Sequence, residues 1–401
     1  MMRPSRFGFV LLLFSMVLGG CAAPIHRNPV PRELVLTAEV PGMPWARFIG
    51  DHAYAGRGND LDDRRAEYTR QLRESGLARE PIRFLAVSGG GQNGAFGAGL
   101  LCGWTARGDR PEFRAVTGIS TGALIAPFAF LGPEYDDALR TVYTTVETRD
   151  LVRQKGKLEG LTSDSFADSS GLYRSIQEHI TEEMIEAIGR EHWRGRRLTI
   201  GTTNLDLMEP VYWNVSRIAA SDHPGKVELI HKILLASASI PVAFPPVYID
   251  VVAADGEAYD EMHVDGGATT QVFVYPLTLN IGEEFEAMRI NTEDQQLYII
   301  RNASFAARHE VVEARSLSIA GRTVSSMIRT LGIGDMFRMY LGARRDGMGF
   351  NLAYIPPSFT LEETEPFDKA YMNALFDVGY GLAKDGYPWE TKPPYFDLAE
   401  E

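Results

Sequence analysis

The sequence predicts an α/β fold, with a mainly parallel central sheet covered by helices on both faces. Three observations predict it. Short apolar runs alternate with helical stretches from Ile82 nearly to the C-terminus, the pattern of a parallel sheet buried on both sides. Two of these runs open into glycine-rich turns and then into apolar helices. The composition is globular, with 45% hydrophobic and 23% charged residues in 401, which excludes a disordered or fibrous chain.

The elements follow in order. Arg3 and Arg6 precede an uncharged, mostly apolar run, Phe7 to Gly20. That run is shorter than the ~20 residues of a membrane-spanning helix and fits a secretory signal peptide. It ends in Leu18-Gly19-Gly20-Cys21, which resembles the bacterial lipobox and implies lipidation of Cys21 at the mature N-terminus. In a Gram-negative envelope, Ala22 after that Cys resembles an outer-membrane sorting signal. Residues 21–80 are expected to be a tether, rich in early prolines (Pro24, Pro29, Pro31, Pro41, Pro44), and then a charged helix over 59–77.

The remainder, 81–395, is expected to be one domain. Strands are predicted at 82–88, 113–117, 197–204, 296–301 and 350–355. Helices are predicted at 95–101, 123–130, 231–239, 309–341 and 367–383.

Three motifs carry chemistry. Gly118-Ile119-Ser120-Thr121-Gly122 is a G-x-S-x-G turn between an apolar strand and an apolar helix. Glycines permit the sharp turn that holds a serine hydroxyl clear of the backbone, and the helix N-terminus directs free N–H groups at the reacting centre. The loop Gly89-Gly90-Gly91-Gln92-Asn93-Gly94 matches G-x-G-x-x-G. A dinucleotide site would need an acid at the end of the second strand, and none stands there. Pairing with the serine turn favours the other reading, an oxyanion hole of backbone N–H groups. The third motif is Asp265-Gly266-Gly267, whose carboxylate could orient or deprotonate a serine.

In this order the three motifs resemble the patatin-like phospholipase family. A fourth stretch, Ala236-Ser237-Ala238-Ser239-Ile240-Pro241-Val242-Ala243-Phe244-Pro245-Pro246, is similar to the family's A-S-x-A-I-P-x-x-F-P-P segment. The resemblance implies a three-layer α/β/α sandwich and a Ser120–Asp265 dyad for acyl-ester hydrolysis. It also implies an oxyanion hole over Gly89, Gly90, Gly91, Asn93 and Gly94. The chain departs from the family at Asn93, where the family loop carries Arg or Lys. Asn donates a hydrogen bond but brings no positive charge.

Other classes fit less well. A net charge of -13 argues against a nucleic-acid partner. Cys21 and Cys102 are the only cysteines, which excludes a disulfide scaffold and a Cys-based zinc site, and Cys102 is expected in the core. No metal motif occurs, and neither metal nor cofactor is implied. His263 is expected to pack or hydrogen-bond, and His309 to face solvent; Asp206 and Asp250 are expected to be structural. The rival reading is a catalytically weak module of the same fold that binds lipid or protein at the envelope. The substrate is expected to be a lipid or another acyl ester.

Overall fold

The computed structural model describes residues 27–50, 58–151, 153–154, 167–306, 309 and 311–396. The expected signal segment and Cys21 lie outside them. Among the described residues no helix is long and apolar enough to cross a membrane.

The strands are β1 (Arg47–Ile49), β2 (Arg83–Val87), β3 (Ala115–Ile119), β4 (Arg153–Gln154), β5 (Ala167–Asp168) and β6 (Arg197–Asn204). They continue with β7 (Glu209–Asn214), β8 (Val247–Val252), β9 (Ala258–Asp265), β10 (Gln296–Arg301) and β11 (Gly349–Tyr354). Helices of seven residues or more begin with α1 (Gly58–Glu74), α2 (Gly94–Arg107), α3 (Thr121–Leu131), α4 (Asp136–Thr145) and α5 (Ser170–His179). After them come α6 (Glu182–Trp193), α7 (Lys226–Ser237), α8 (Ile281–Ala287), α9 (Ser316–Arg345) and α10 (Lys369–Lys384).

The sheet runs β1-β7-β6-β3-β2-β10-β11, with β9 and β8 attached beyond β6. From β6 to β11 all neighbours are parallel, as expected. At the β6 edge the chain adds antiparallel pairs, β1 to β7, β7 to β6, β9 to β6 and β8 to β9. These four strands were not predicted. β9 mixes charged and apolar residues (Ala-Tyr-Asp-Glu-Met-His-Val-Asp), so no clean alternation marks it.

Both faces of the sheet are covered. One carries the large core of Leu85, Phe96, Val116, Phe128 and Ile200. The other carries Phe84, Leu72, Phe285, Leu297 and Met336. On the first face α2 and α10 touch backbone to backbone, since a Cβ on Gly99 would stand 2.0 Å from the Phe376 carbonyl oxygen. Cys102 is buried there as expected, and burial pushes its thiol up to about 12.

The tether expected over 21–80 needs correction. From Arg27 onward the chain packs on the domain. Val35, Val40, Met43 and Ala46 enter the core, β1 joins the sheet, and Arg27 pairs with Asp206 and Asp260. The prolines between them break the periodicity by which such burial is read from sequence. Met43→Ala is therefore expected to cost about 2–4 kcal/mol in urea unfolding, as for a core position. A free tether would leave the midpoint unchanged.

Candidate active site

The site forms where two strands meet end to end. β3 lies alongside β6 from Ala115↔Arg197 to Ile119↔Gly201 and stops. The antiparallel β9 takes over the same side of β6 at the next residue, with Asp265 opposite Thr202. Ser120 follows β3 and Asp265 ends β9, so the register alone brings them together across 145 residues of sequence. The Ser120 side chain stands close enough to the Asp265 carboxylate to favour its ionised form.

Each is held in place. Ser120 has φ 55° and ψ -126°, a strained backbone for a residue with a Cβ. The turn closes because Gly122 lies against β2, where a Cβ would stand 2.2 Å from the Val87 carbonyl oxygen. Gly118 likewise faces the Gly122 carbonyl. On the acid side, the Gly267 N–H donates to Asp265 Oδ1 at 2.7 Å, and the Asp265 N–H donates to the Ser239 carbonyl at 2.9 Å. Gly266 packs against the Gly201 carbonyl. Burial pushes the Asp265 carboxyl up to about 6, against the pull of Ser120 and of the Gly267 N–H.

Ser237 joins the two halves. Its hydroxyl donates to the Gly201 carbonyl at 2.6 Å and accepts the Ser120 N–H at 3.0 Å. Gly201 is the residue at which β3 gives way to β9, so this hydroxyl fills the gap in the ladder. The sequence marked Ser237 within a motif but assigned it no role.

The glycine loop lies beside Ser120. The Gly89 N–H donates to the Gln271 carbonyl at 3.1 Å, so it is not free for an oxyanion. That corrects the expected donor set and leaves Gly90 and Gly91. The Gly90 Cα abuts Asn302, whose carbonyl oxygen would stand 2.2 Å from a Cβ there. Asn302 also brackets the loop, donating through Nδ2 to the Ser88 carbonyl at 2.9 Å and accepting the Gly97 N–H at 3.1 Å. No motif pointed to it.

Asn93 does not face Ser120. Its side-chain oxygen accepts from the Tyr371 hydroxyl at 2.7 Å, and it lines a groove in front of the loop. Gly94 opens α2 against Thr121 and Tyr143, also a structural place.

Beside Ser120 opens a narrow apolar slot of about 70 Å³. Leu124, Phe128, Leu172, Ile176, Phe244 and Met372 line it. Aliphatic and aromatic walls around one hydroxyl suit an acyl chain.

The remaining candidates stay apart. His263 is fully buried, bonded to Thr202 Oγ1 at 2.9 Å and to Glu261 at 3.1 Å, and packs on Trp213. Burial holds its imidazole below the ordinary value. His309 is exposed, Asp206 binds Arg27, and Asp250 faces solvent. Among the described residues no cluster could hold a metal ion.

Residues 85–278 match the patatin-like phospholipase family model. The chain carries a patatin-like phospholipase domain. Such a domain is a lipid acyl hydrolase, and the matched segment contains both Ser120 and Asp265. No curated protein matches the chain. Two solved structures are similar in part. VipD from Legionella pneumophila shares 12% identity over 77% of this chain and 67% of its own, with TM-score 0.39. Human GIVD cytosolic phospholipase A2 shares 11% over 79% of this chain and 53% of its own, with TM-score 0.30.

Ser237→Ala in this patatin-like domain would leave the Gly201 carbonyl and the Ser120 N–H unpaired in the core. The expected cost is about 2–4 kcal/mol of stability, with ester turnover falling more than substrate affinity. Unfolding curves and a kcat-against-KM comparison check it; an unchanged protein would show that the bridge is idle.

Proposed function

We propose that the chain is a lipid-anchored serine acyl hydrolase working through a Ser120–Asp265 dyad. The observation that carries the reading is the end-to-end meeting of β3 and β9, which sets a strained serine against a buried carboxylate at the mouth of an apolar slot. Ser120 Oγ attacks the ester carbonyl carbon while its proton passes to Asp265. The oxyanion takes hydrogen bonds from the Gly90 and Gly91 N–H groups. Collapse expels the alcohol, which leaves with the proton from Asp265. Water then attacks the acyl-enzyme, Asp265 takes its proton and returns it to Ser120, and the fatty acid departs. The acyl chain lies in the slot and the alcohol part in the groove beyond the glycine loop.

Ser120→Ala and Asp265→Asn should each abolish hydrolysis of p-nitrophenyl esters, and a fluorophosphonate should label wild type on Ser120. Asp265→Asn should unfold no more readily than wild type at pH 7, because it removes a buried charge that costs stability. A base must be ionised, so kcat/KM should rise with pH through about 6 and level off above it. A folded wild type that neither turns over esters nor takes the label would favour the binding-module reading. Retained activity in Asp265→Asn would remove the dyad.

The anchor rests on the lipobox resemblance at Cys21. Several acyl chains on one cysteine suffice for stable membrane attachment. In a Gram-negative host the place would be the outer membrane. Cys21→Ala should move the protein from the membrane to the soluble fraction; unchanged fractionation would refute the anchor.

A further inference from the structure

A second cavity of about 580 Å³ lies on the sheet face covered by α1 and α8. It shares no lining residue with the acyl slot or with the groove before the glycine loop. It crosses the sheet from β7 through β6 and β3 to β2, with Phe48 of β1 at one end. Four inter-strand steps at roughly 4.8 Å make a span of about 19 Å.

Its two ends differ in chemistry. Around β6 and β7 the lining is cationic and polar, with Arg64, Arg197, Arg217, Thr199 and Asn214. Around β2 the lining carries the apolar Phe84, Phe285, Ile281 and Met288 beside Glu283 and Glu284 of α8, of which Glu284 is paired with Arg65. Between them stand Ala115, Thr117 and Phe273. Thr117 turns its hydroxyl proton to the Phe273 carbonyl, so the middle of the floor offers little polarity.

The charge at the polar end is incompletely balanced. Arg65 is held by Glu284 at 2.5 Å, and Glu67 stands 3.8 Å from Arg217. Arg197 hydrogen-bonds only neutral oxygens, the His192 and Arg196 carbonyls at 3.0 Å and Gln71 Oε1 at 2.8 Å. Its ring partner is Tyr68, 4.6 Å below the guanidinium. Burial pulls Arg197 down to about 10, the mark of a cation short of solvation. An arriving carboxylate would supply what water no longer does.

We propose that this cavity binds a long-chain fatty carboxylate, its head at Arg197 and Thr199 and its tail along Phe84, Phe285 and Met288. The cationic head end, the apolar far end and a span close to an extended chain of about fourteen carbons select that ligand over a compact anion or a neutral lipid. A fatty carboxylate is also what ester hydrolysis at Ser120 would release, so the cavity could report product to the enzyme. Binding itself does not depend on the hydrolase reading.

The test uses the chain from residue 22 onward with Ser120→Ala, which carries neither the apolar run Phe7 to Gly20 nor Cys21 and consumes no ester. The probe is myristate bearing a terminal diazirine, with myristyltrimethylammonium as the charge-reversed control. Irradiation is expected to attach the tail to peptides containing Phe285 or Met288. Ala115→Trp, which fills the middle of the cavity, and Arg197→Gln, which removes the charge, are each expected to weaken myristate binding by about tenfold or more. The ammonium should not compete. Cross-links confined to Leu172 or Ile176 would place the ligand in the acyl slot and overturn the proposal. So would unchanged affinity in folded Ala115→Trp, or an ammonium that binds as well as myristate. Should either variant fail to fold, the cross-link map and the charge preference decide on their own.

Discussion

The candidate site depends on one constraint, that two strands share a single side of β6. β3 must stop at Gly201 and β9 must begin its pairing at Thr202. A one-residue slip in either would turn Ser120 or Asp265 to the wrong face. β9 reaches that position by running antiparallel to β6, with its C-terminal residue Asp265 at the break. The small residues follow from the same demand. Gly118, Gly122 and Gly266 stand where neighbouring backbone leaves no room for a Cβ. Ser237 fills the break in the ladder that the change of strand creates.

The arrangement is held against its own cost. A non-glycine residue at positive φ stores roughly 1–3 kcal/mol, and Ser120 is such a residue. Ionising the buried Asp265 carries a comparable cost, since its carboxyl is raised from 3.8 to about 6. Neither would persist on a loose framework. The surrounding core supplies the rigidity: nearly all of α3 lies inside it, β2 and β3 have parallel neighbours on both sides, and β6 lies between β7 and the β3–β9 pair. The segment from Val35 to Ile49 adds to that core, so the N-terminal stretch supports the site from the far edge of the sheet.

Much of this was legible in the sequence. The strands at 197–204 and 296–301 appear at their predicted bounds, each a short run rich in β-branched and aliphatic residues. The serine turn and the Asp-Gly-Gly turn were legible because glycine is required where backbones crowd. What escaped has a common cause. β7, β8 and β9 carry charges that serve long-range partners, such as Glu261 with Arg47, and local periodicity does not register a partner 214 residues away. Asn302 and Ser237 act by hydrogen bonds to backbone far away in sequence, and an isolated Asn or Ser looks the same wherever it stands. The occupied Gly89 N–H was invisible for the same reason, since its acceptor is a main-chain carbonyl.

Asn93 ties the loop to the proposed base. With its oxygen held by Tyr371, the loop presents neutral N–H dipoles and the N-terminus of α3 to the reacting centre, without a formal cation. A lysine or arginine near the site would favour the carboxylate form of Asp265 and lower its affinity for a proton. A general base works best when that affinity lies close to the ambient pH. With no cation in the loop to hold it down, burial keeps Asp265 near 6 against the pull of Ser120 and the Gly267 N–H. On this argument the departure at position 93 is an adjustment between two parts of one site. A cation placed there should shift the acidic limb of the pH profile to lower pH.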